Sequence, residues 1–190
     1  MRSLLELAKL AEENRISLHE AVLTADSQAT GVSSDEIFGL IGSRLNDMHR
    51  SADEARFSNN PCKLVPKTGP LLRGYSEKGG MCGEFILRAS AIALEVATYN
   101  ASMGRIVAAP TAGSCGILPG MLFAWEEFYG KDSADSERKL IEALIVAGAV
   151  GEIIANRATL AGAEGGCQAE CGAAAAMGAA ALVYLQGGSC

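Results

Sequence analysis

Apolar residues recur three and four positions apart through the first fifty residues of the chain. Leu4, Leu5, Leu7, Leu10 and Ala11 fall on one helical stripe. "ISLHEAVLTADSQ" opens a second helix, with Ser17 placed as its N-cap and Glu20 three residues on to complete a capping box. A third begins at Ser33 or Ser34, and its stripe of Ile37, Leu40, Ile41, Leu45 and Met48 carries it to about Arg50.

The pattern fails between Asn59 and Gly80, where "NNPCKLVPKTGPLLRGYSEKGG" holds three prolines and four glycines. Proline lacks the backbone donor a helix interior needs, so this stretch is expected as a loop or linker without a regular helix, either a binding lid or a floppy connection. Helical periodicity returns from about Cys82 to Met103. It is interrupted by "PTAGSCGILPG", resumes over Met121 to Phe128, and stops at the polar turn "KDSADSE". Ser133 or Ser136 there is placed to cap the next helix, "RKLIEALIVAGAVGEIIANRA". Small residues at Ala147, Gly148, Ala149 and Gly151 would let another helix approach that one closely. A last helix is expected from Cys167 or Gln168 to about Gln186, and "GRIVAAP" is the one short strand candidate. The fold class is therefore all-α, a bundle of small-residue-rich helices with glycine-rich loops. Three regions are expected: a helical appendage at 1–58, a loop or linker at 59–80, and a helical core at 81–190.

Composition sharpens this picture. The chain is 49% hydrophobic but only 5% aromatic and has 22 glycines, so its core must pack through small side chains and close backbone approach. A length of 190 residues suits one domain, or one domain with a small appendage. The net charge of -6, without a basic run, argues against a nucleic-acid partner. "MRSLLELAKLAEENRIS" mixes charge and leucine where an export signal would show an apolar block, which favours a cytoplasmic protein. The uncharged run Cys171 to Leu185 is shorter than the roughly 18 residues a bilayer crossing needs, so it is expected as a buried helix with no membrane role. Six cysteines in such a chain are expected as reduced thiols, either buried or binding metal.

Two constellations could carry chemistry. In "PTAGSCGILPG", Gly113, Gly116 and Gly120 free the backbone while Thr111, Ser114 and Cys115 supply polar groups. Such a loop is either an anion-binding nest or a tight turn between packed helices, and it lacks the lysine of a P-loop. In "GAEGGCQAECGAAAAMG", Cys167 would stand at the mouth of a helix, where unpaired N–H groups and the helix dipole favour a thiolate, a ligand for a soft metal centre. Cys171 follows one turn later on the same face, and a plain buried thiol is the stronger reading for it. The two thiols do not make a zinc site, and His19 and His49 are expected as solvated helix residues. Asn100, Asn156, Glu164, Gln168 and Glu170 interrupt apolar helices. They either line a polar pocket or hydrogen-bond to loop carbonyls, because burying them unpartnered costs about 1 to 3 kcal/mol each. No Ser-His-Asp arrangement, paired acid/base carboxylates or cofactor-type lysine is evident, which leaves room for a metal Lewis acid.

"NASMGRIVAAPTAGSCGILPG" and "GAEGGCQAECGAAAAMGAAALV" closely resemble the α subunit, or catalytic domain, of the iron-sulfur-dependent bacterial L-serine dehydratases. The resemblance implies conversion of L-serine to pyruvate and ammonia by a 4Fe-4S cluster acting as Lewis acid, without pyridoxal phosphate. Cys167 matches a cluster ligand of that family. Cys115 matches a position that also accepts alanine, and Cys171 a variable one. Asn100, Thr111, Ser114 and Asn156 fall in motifs that line the family's substrate pocket. A β subunit or β domain and an oligomer are the implied partners. Two departures stand out. The family continues past the alanine helix through a Cys-Asp-Pro...Val-Pro-Cys segment with the other cluster cysteines, so the chain is expected to be C-terminally incomplete. "KLVPKTGPLLRGY" also replaces a Thr-Gly-Gly-Asp-Ala-like stretch. A non-catalytic or diverged helical partner domain is the alternative.

Overall fold

Each of the first three helices begins behind a serine. The structure, a computed structural model, describes residues 3–62, 65–131 and 135–188. Helix α1 (Leu4–Asn14) and α2 (Leu18–Thr30) both start with capping boxes, Ser3 with Glu6 and Ser17 with Glu20. Ser17 N donates to Glu20 Oε2 at 2.8 Å while Glu20 N donates to Ser17 Oγ at 3.3 Å, so two otherwise orphaned donors are satisfied reciprocally. Ser33 caps α3 (Ser34–Phe57), which runs a full two turns past the expected end near Arg50. Its extension buries Ser51 and Ala55, side chains too small to register in a pattern of large apolar residues.

The stretch expected as a linker contains a helix, α4 (Gly69–Ser76). Pro70 occupies its second position, where a missing N–H breaks no intrahelical bond. Tertiary contacts hold it in place. A Cβ at Gly69 would stand 2.9 Å from the backbone nitrogen of Glu95, so this end of α4 lies flat on α5 (Glu84–Ala101). Arg73 then grips buried Glu95 with both prongs, Nε to Oε1 at 2.9 Å and Nη2 to Oε2 at 2.6 Å. Helix α5 starts at Glu84, slightly later than Cys82, because Gly83 before it takes the left-handed φ of 77°.

No strand forms among the described residues, and "GRIVAAP" is an irregular connection ending in a cis Ala109–Pro110 bond. It leads into a 3₁₀ turn (Ala112–Ser114) and α6 (Ile117–Trp125), which begins before the expected Met121 because Pro119 lies within its first turn. A π turn (Glu126–Gly130) follows, then α7 (Ser136–Arg157). Ser136 is the first helical residue and makes no cap, and Ser133 lies outside the described residues. The final segment comprises α8 (Gly162–Cys167), a second π turn (Gln168–Gly172) and α9 (Ala173–Leu185).

Glycines set how closely these helices approach. A Cβ at Gly116, the N-cap of α6, or at Gly120 within it would collide with the carbonyl oxygens of Ala93 and Ala89 on α5, so the two backbones touch along a matched i, i+4 pair. Gly151 on α7 accepts Met177 of α9, and Gly178 of α9 accepts Met121 of α6. Leu118, Leu122, Ala124, Leu140, Ala143 and Ala181 are fully enclosed between these helices. Leu7, Val22, Leu45 and Met48 from the first three helices belong to the same continuous core. No described helix is long and apolar enough to cross a membrane.

Two histidines depart from expectation. His19 is buried, with Nδ1 at 2.6 Å from Tyr184 Oη and 2.8 Å from Ser17 Oγ. Burial and the nearby Glu142 carboxylate push the Tyr184 hydroxyl up to about 12. His49 stacks on Phe123 with ring centroids 3.9 Å apart. Both sit on amphipathic helices, but the rings they pack against, Phe123 of α6 and Tyr184 of α9, come from far along the chain.

Candidate functional site

The two glycine-rich motifs meet in space, and Glu170 lies between them. The π turn that carries Glu170 packs on the 3₁₀ turn Ala112–Ser114. A Cβ at Gly113 would stand 2.9 Å from Glu170 Oε2, and one at Gly162 would stand 2.8 Å from the same oxygen. The carboxylate is thus cradled by bare backbone from both motifs. The sequence offers Glu170 as a pocket-lining or loop-bonding polar residue, but nothing local shows which glycines it will touch.

Asn100 anchors the first motif from α5: its Nδ2 donates to the Ala112 carbonyl at 2.9 Å. Thr111 and Ser114 are coupled through their hydroxyls at 3.1 Å, and Ser114 is almost fully buried. These three expected residues are therefore brought together. Asn156 stands exposed on the last turn of α7, and among the described residues no side-chain hydrogen bond joins it to the others. Neighbouring Glu164 accepts a hydrogen bond from Thr159 Oγ1 at 2.7 Å, which ties down the loop leading into the second motif.

Cys167 is positioned by Gly166. That glycine has φ 69° and ψ -170°, breaking the short α8, and Cys167 is the next residue with right-handed helical angles (φ -57°, ψ -28°). The thiol is exposed at this restart, and its Sγ lies 3.5 Å from that of Cys171. Their hydrogen bond, ahead of partial burial, holds the Cys171 thiol above the usual cysteine range. Cys115 is a different kind of thiol: enclosed in the core, it is pushed up to about 11 by burial. That suits packing and does not suit ligation.

The donor set can be compared with what an iron-sulfur cluster requires. Thiolate-held clusters of this kind need several cysteines around one cavity. The described residues contain no group of three or more histidine, cysteine, aspartate or glutamate side chains arranged to hold a metal ion. Cys167 and Cys171 offer two thiols and no third donor, so these residues alone do not make a cluster site. An open groove of about 1310 Å³ lies elsewhere, between α1, α7 and α9, lined by Leu5, Val146, Val183 and Tyr184 among others. Neither the loop 110–120 nor the glycine-rich stretch 162–172 contributes to it.

The model of the serine dehydratase alpha chain family matches residues 13–190, and the chain belongs to that family. It is similar to the L-serine dehydratase alpha chain of Peptoniphilus asaccharolyticus, 36% identical over 187 residues, covering 97% of this chain and 63% of that protein. A Bacillus subtilis (strain 168) protein named "Probable L-serine dehydratase, alpha chain" is 33% identical over 190 residues, covering 99% of this chain and 62% of the relative. L-serine dehydratase 1 of Escherichia coli (strain K12) is 44% identical over 97 residues, covering 51% of this chain and 21% of its own length. The chain thus spans just over three fifths of the first two relatives. No solved structure matches it.

Proposed function

We propose that the chain forms part of an L-serine dehydratase, a lyase that converts L-serine to pyruvate and ammonia. The observation that carries this reading is the identity of 36% to an L-serine dehydratase alpha chain along nearly the whole sequence. The meeting of the two glycine-rich motifs supports it, because it gathers Asn100, Thr111 and Ser114 beside the turn that carries Glu170 and follows Cys167. Asn100, Thr111 and Ser114 would bind or orient the amino acid. Asn156 is a fourth candidate for substrate contact, and Glu170 would hold the two motifs in register.

In this reading Cys167 contributes one ligand to a 4Fe-4S cluster, which would supply a Lewis acid, and further thiolates come from polypeptide beyond these residues. The reading expects no pyridoxal phosphate. The alpha designation of the relatives supports a β subunit or β domain as partner, within an oligomer working in the cytoplasm with reduced thiols.

A second reading is a non-catalytic helical partner domain, since the described residues bring no third donor to Cys167 and Cys171. One experiment separates the two. The chain is joined to the portion of the Peptoniphilus relative outside the matched region and reconstituted anaerobically with iron and sulfide. The lyase reading expects broad visible absorbance and pyruvate from L-serine, with both lost in Cys167→Ala. Retention of both in that variant overturns the ligand assignment, and neither appearing in the parent supports the partner domain.

A further inference from the structure

We infer that Cys167 and Cys171 are a reversible dithiol–disulfide site, oxidised by small disulfides of the glutathione type. The pairing stands on geometry and needs no metal. Only its consequence, that oxidation withdraws Cys167 from any iron, rests on the lyase reading.

Three observations carry it. The sulfurs are already turned toward each other at 3.5 Å, leaving about 1.5 Å to close to a bond of ~2.05 Å. In a regular α-helix, residues four apart are about 6 Å apart and rotated past one another. Here the intervening segment is a π turn (Gln168–Gly172), so the two cysteines are not held in regular α-helical register. Flanking backbone supplies the remaining movement: Gly166 already sits at a break, and Gly172 is exposed with little packed against it. Cys167 is exposed and Cys171 half-buried, so attack on a soluble disulfide falls to Cys167 and resolution to Cys171.

The exchange balances without another reagent. Cys167 loses its proton to solvent and attacks one sulfur of glutathione disulfide. That S–S bond breaks, one glutathione leaves as thiolate, and a mixed disulfide remains on Cys167. Cys171 then loses its proton and attacks Cys167 Sγ, forming the protein disulfide and expelling the second glutathione. The protein has lost two electrons and two protons, and the two glutathione thiols have gained them. A crosslink confined to one exposed turn is easily reversed by reduced glutathione.

The test uses the 190-residue chain without iron, treated with glutathione disulfide and then digested with a glutamate-specific protease. Cleavage after Glu170 separates the two cysteines unless a disulfide joins their peptides. The joined pair is expected in the wild type and in Cys190→Ser, and it is expected to be absent from Cys171→Ser, which instead retains one glutathione on Cys167. Stable glutathione on Cys167 of the wild type, persistence of the pair in Cys171→Ser, or its loss in Cys190→Ser would each overturn the proposal. None of these readouts depends on dehydratase activity, so a failure here is distinguishable from a failure of the lyase assignment.

Discussion

Glu170 rests its carboxylate against the backbone of Gly113, so closely that a Cβ on the glycine would stand 2.9 Å from Oε2. Gly113→Ala should therefore displace the far end of a flexible side chain without straining the main chain. Gly113 is exposed, so we expect a stability change below about 1 kcal/mol by urea denaturation. In an active dehydratase containing this chain, kcat/KM should fall about tenfold or more, because small misplacements of orienting groups are costly. Unchanged turnover would remove Glu170 from the site.

Two glycine-to-alanine changes should act in opposite directions. At Gly116 the new methyl would strike the Ala93 carbonyl, a backbone atom that cannot rotate away, so α5 and α6 must separate. The expected loss is about 1 to 3 kcal/mol. At Gly148 nothing lies within 4 Å and the residue faces out from the middle of α7. Alanine there should stabilise by about 0.5 to 1 kcal/mol, because it restricts the unfolded chain and favours helix. Urea midpoints of the two variants, measured against the parent, check both signs.

Arg73 is the clamp on α4. Its partner Glu95 is only 4% exposed, so Arg73→Ala would leave a buried carboxylate without its bidentate donor. Breaking one side of such a pair costs about 3 to 5 kcal/mol. Replacing both residues, Arg73→Met with Glu95→Leu, should recover most of that loss. Thermal unfolding of the two variants provides the comparison.

Cys115 sets an alkaline limit on stability. Burial lifts its thiol from 9.0 to about 11, so between these values the folded chain holds a proton that the unfolded chain releases. Stability must then fall as pH rises through that window, with no contribution from this group below it. Denaturation measured from pH 8 to 11 should show the decline in the parent and a shallower one in Cys115→Ala. Native Cys115 should also resist alkylation near pH 8 while Cys167 reacts.

Legibility in the sequence followed the range of the interaction. The capping box of Ser17 and Glu20 spans one helical turn, and it was readable because its donor, acceptor and geometry all lie within that turn. Helix α4 was hidden, since "KTGPLLRGY" has poor helical character by itself and depends on Glu95, 22 residues from Arg73. The burial of His19 is illegible for the same reason, with its Tyr184 partner 165 residues away.

By itself, the sequence determined the all-α class, most helix starts, the small-residue character of the core and the two motifs that mark the family. These rest on periodicity, local capping and composition, which act over a few residues and need no knowledge of neighbours. Tertiary structure alone decided that Glu170 would join Gly113 to Gly162, that the groups around Asn100 would gather without Asn156, and that Cys167 would face Cys171. Such placements depend on how helices pack at contact distance, and a displacement of even one side chain's width makes or breaks them.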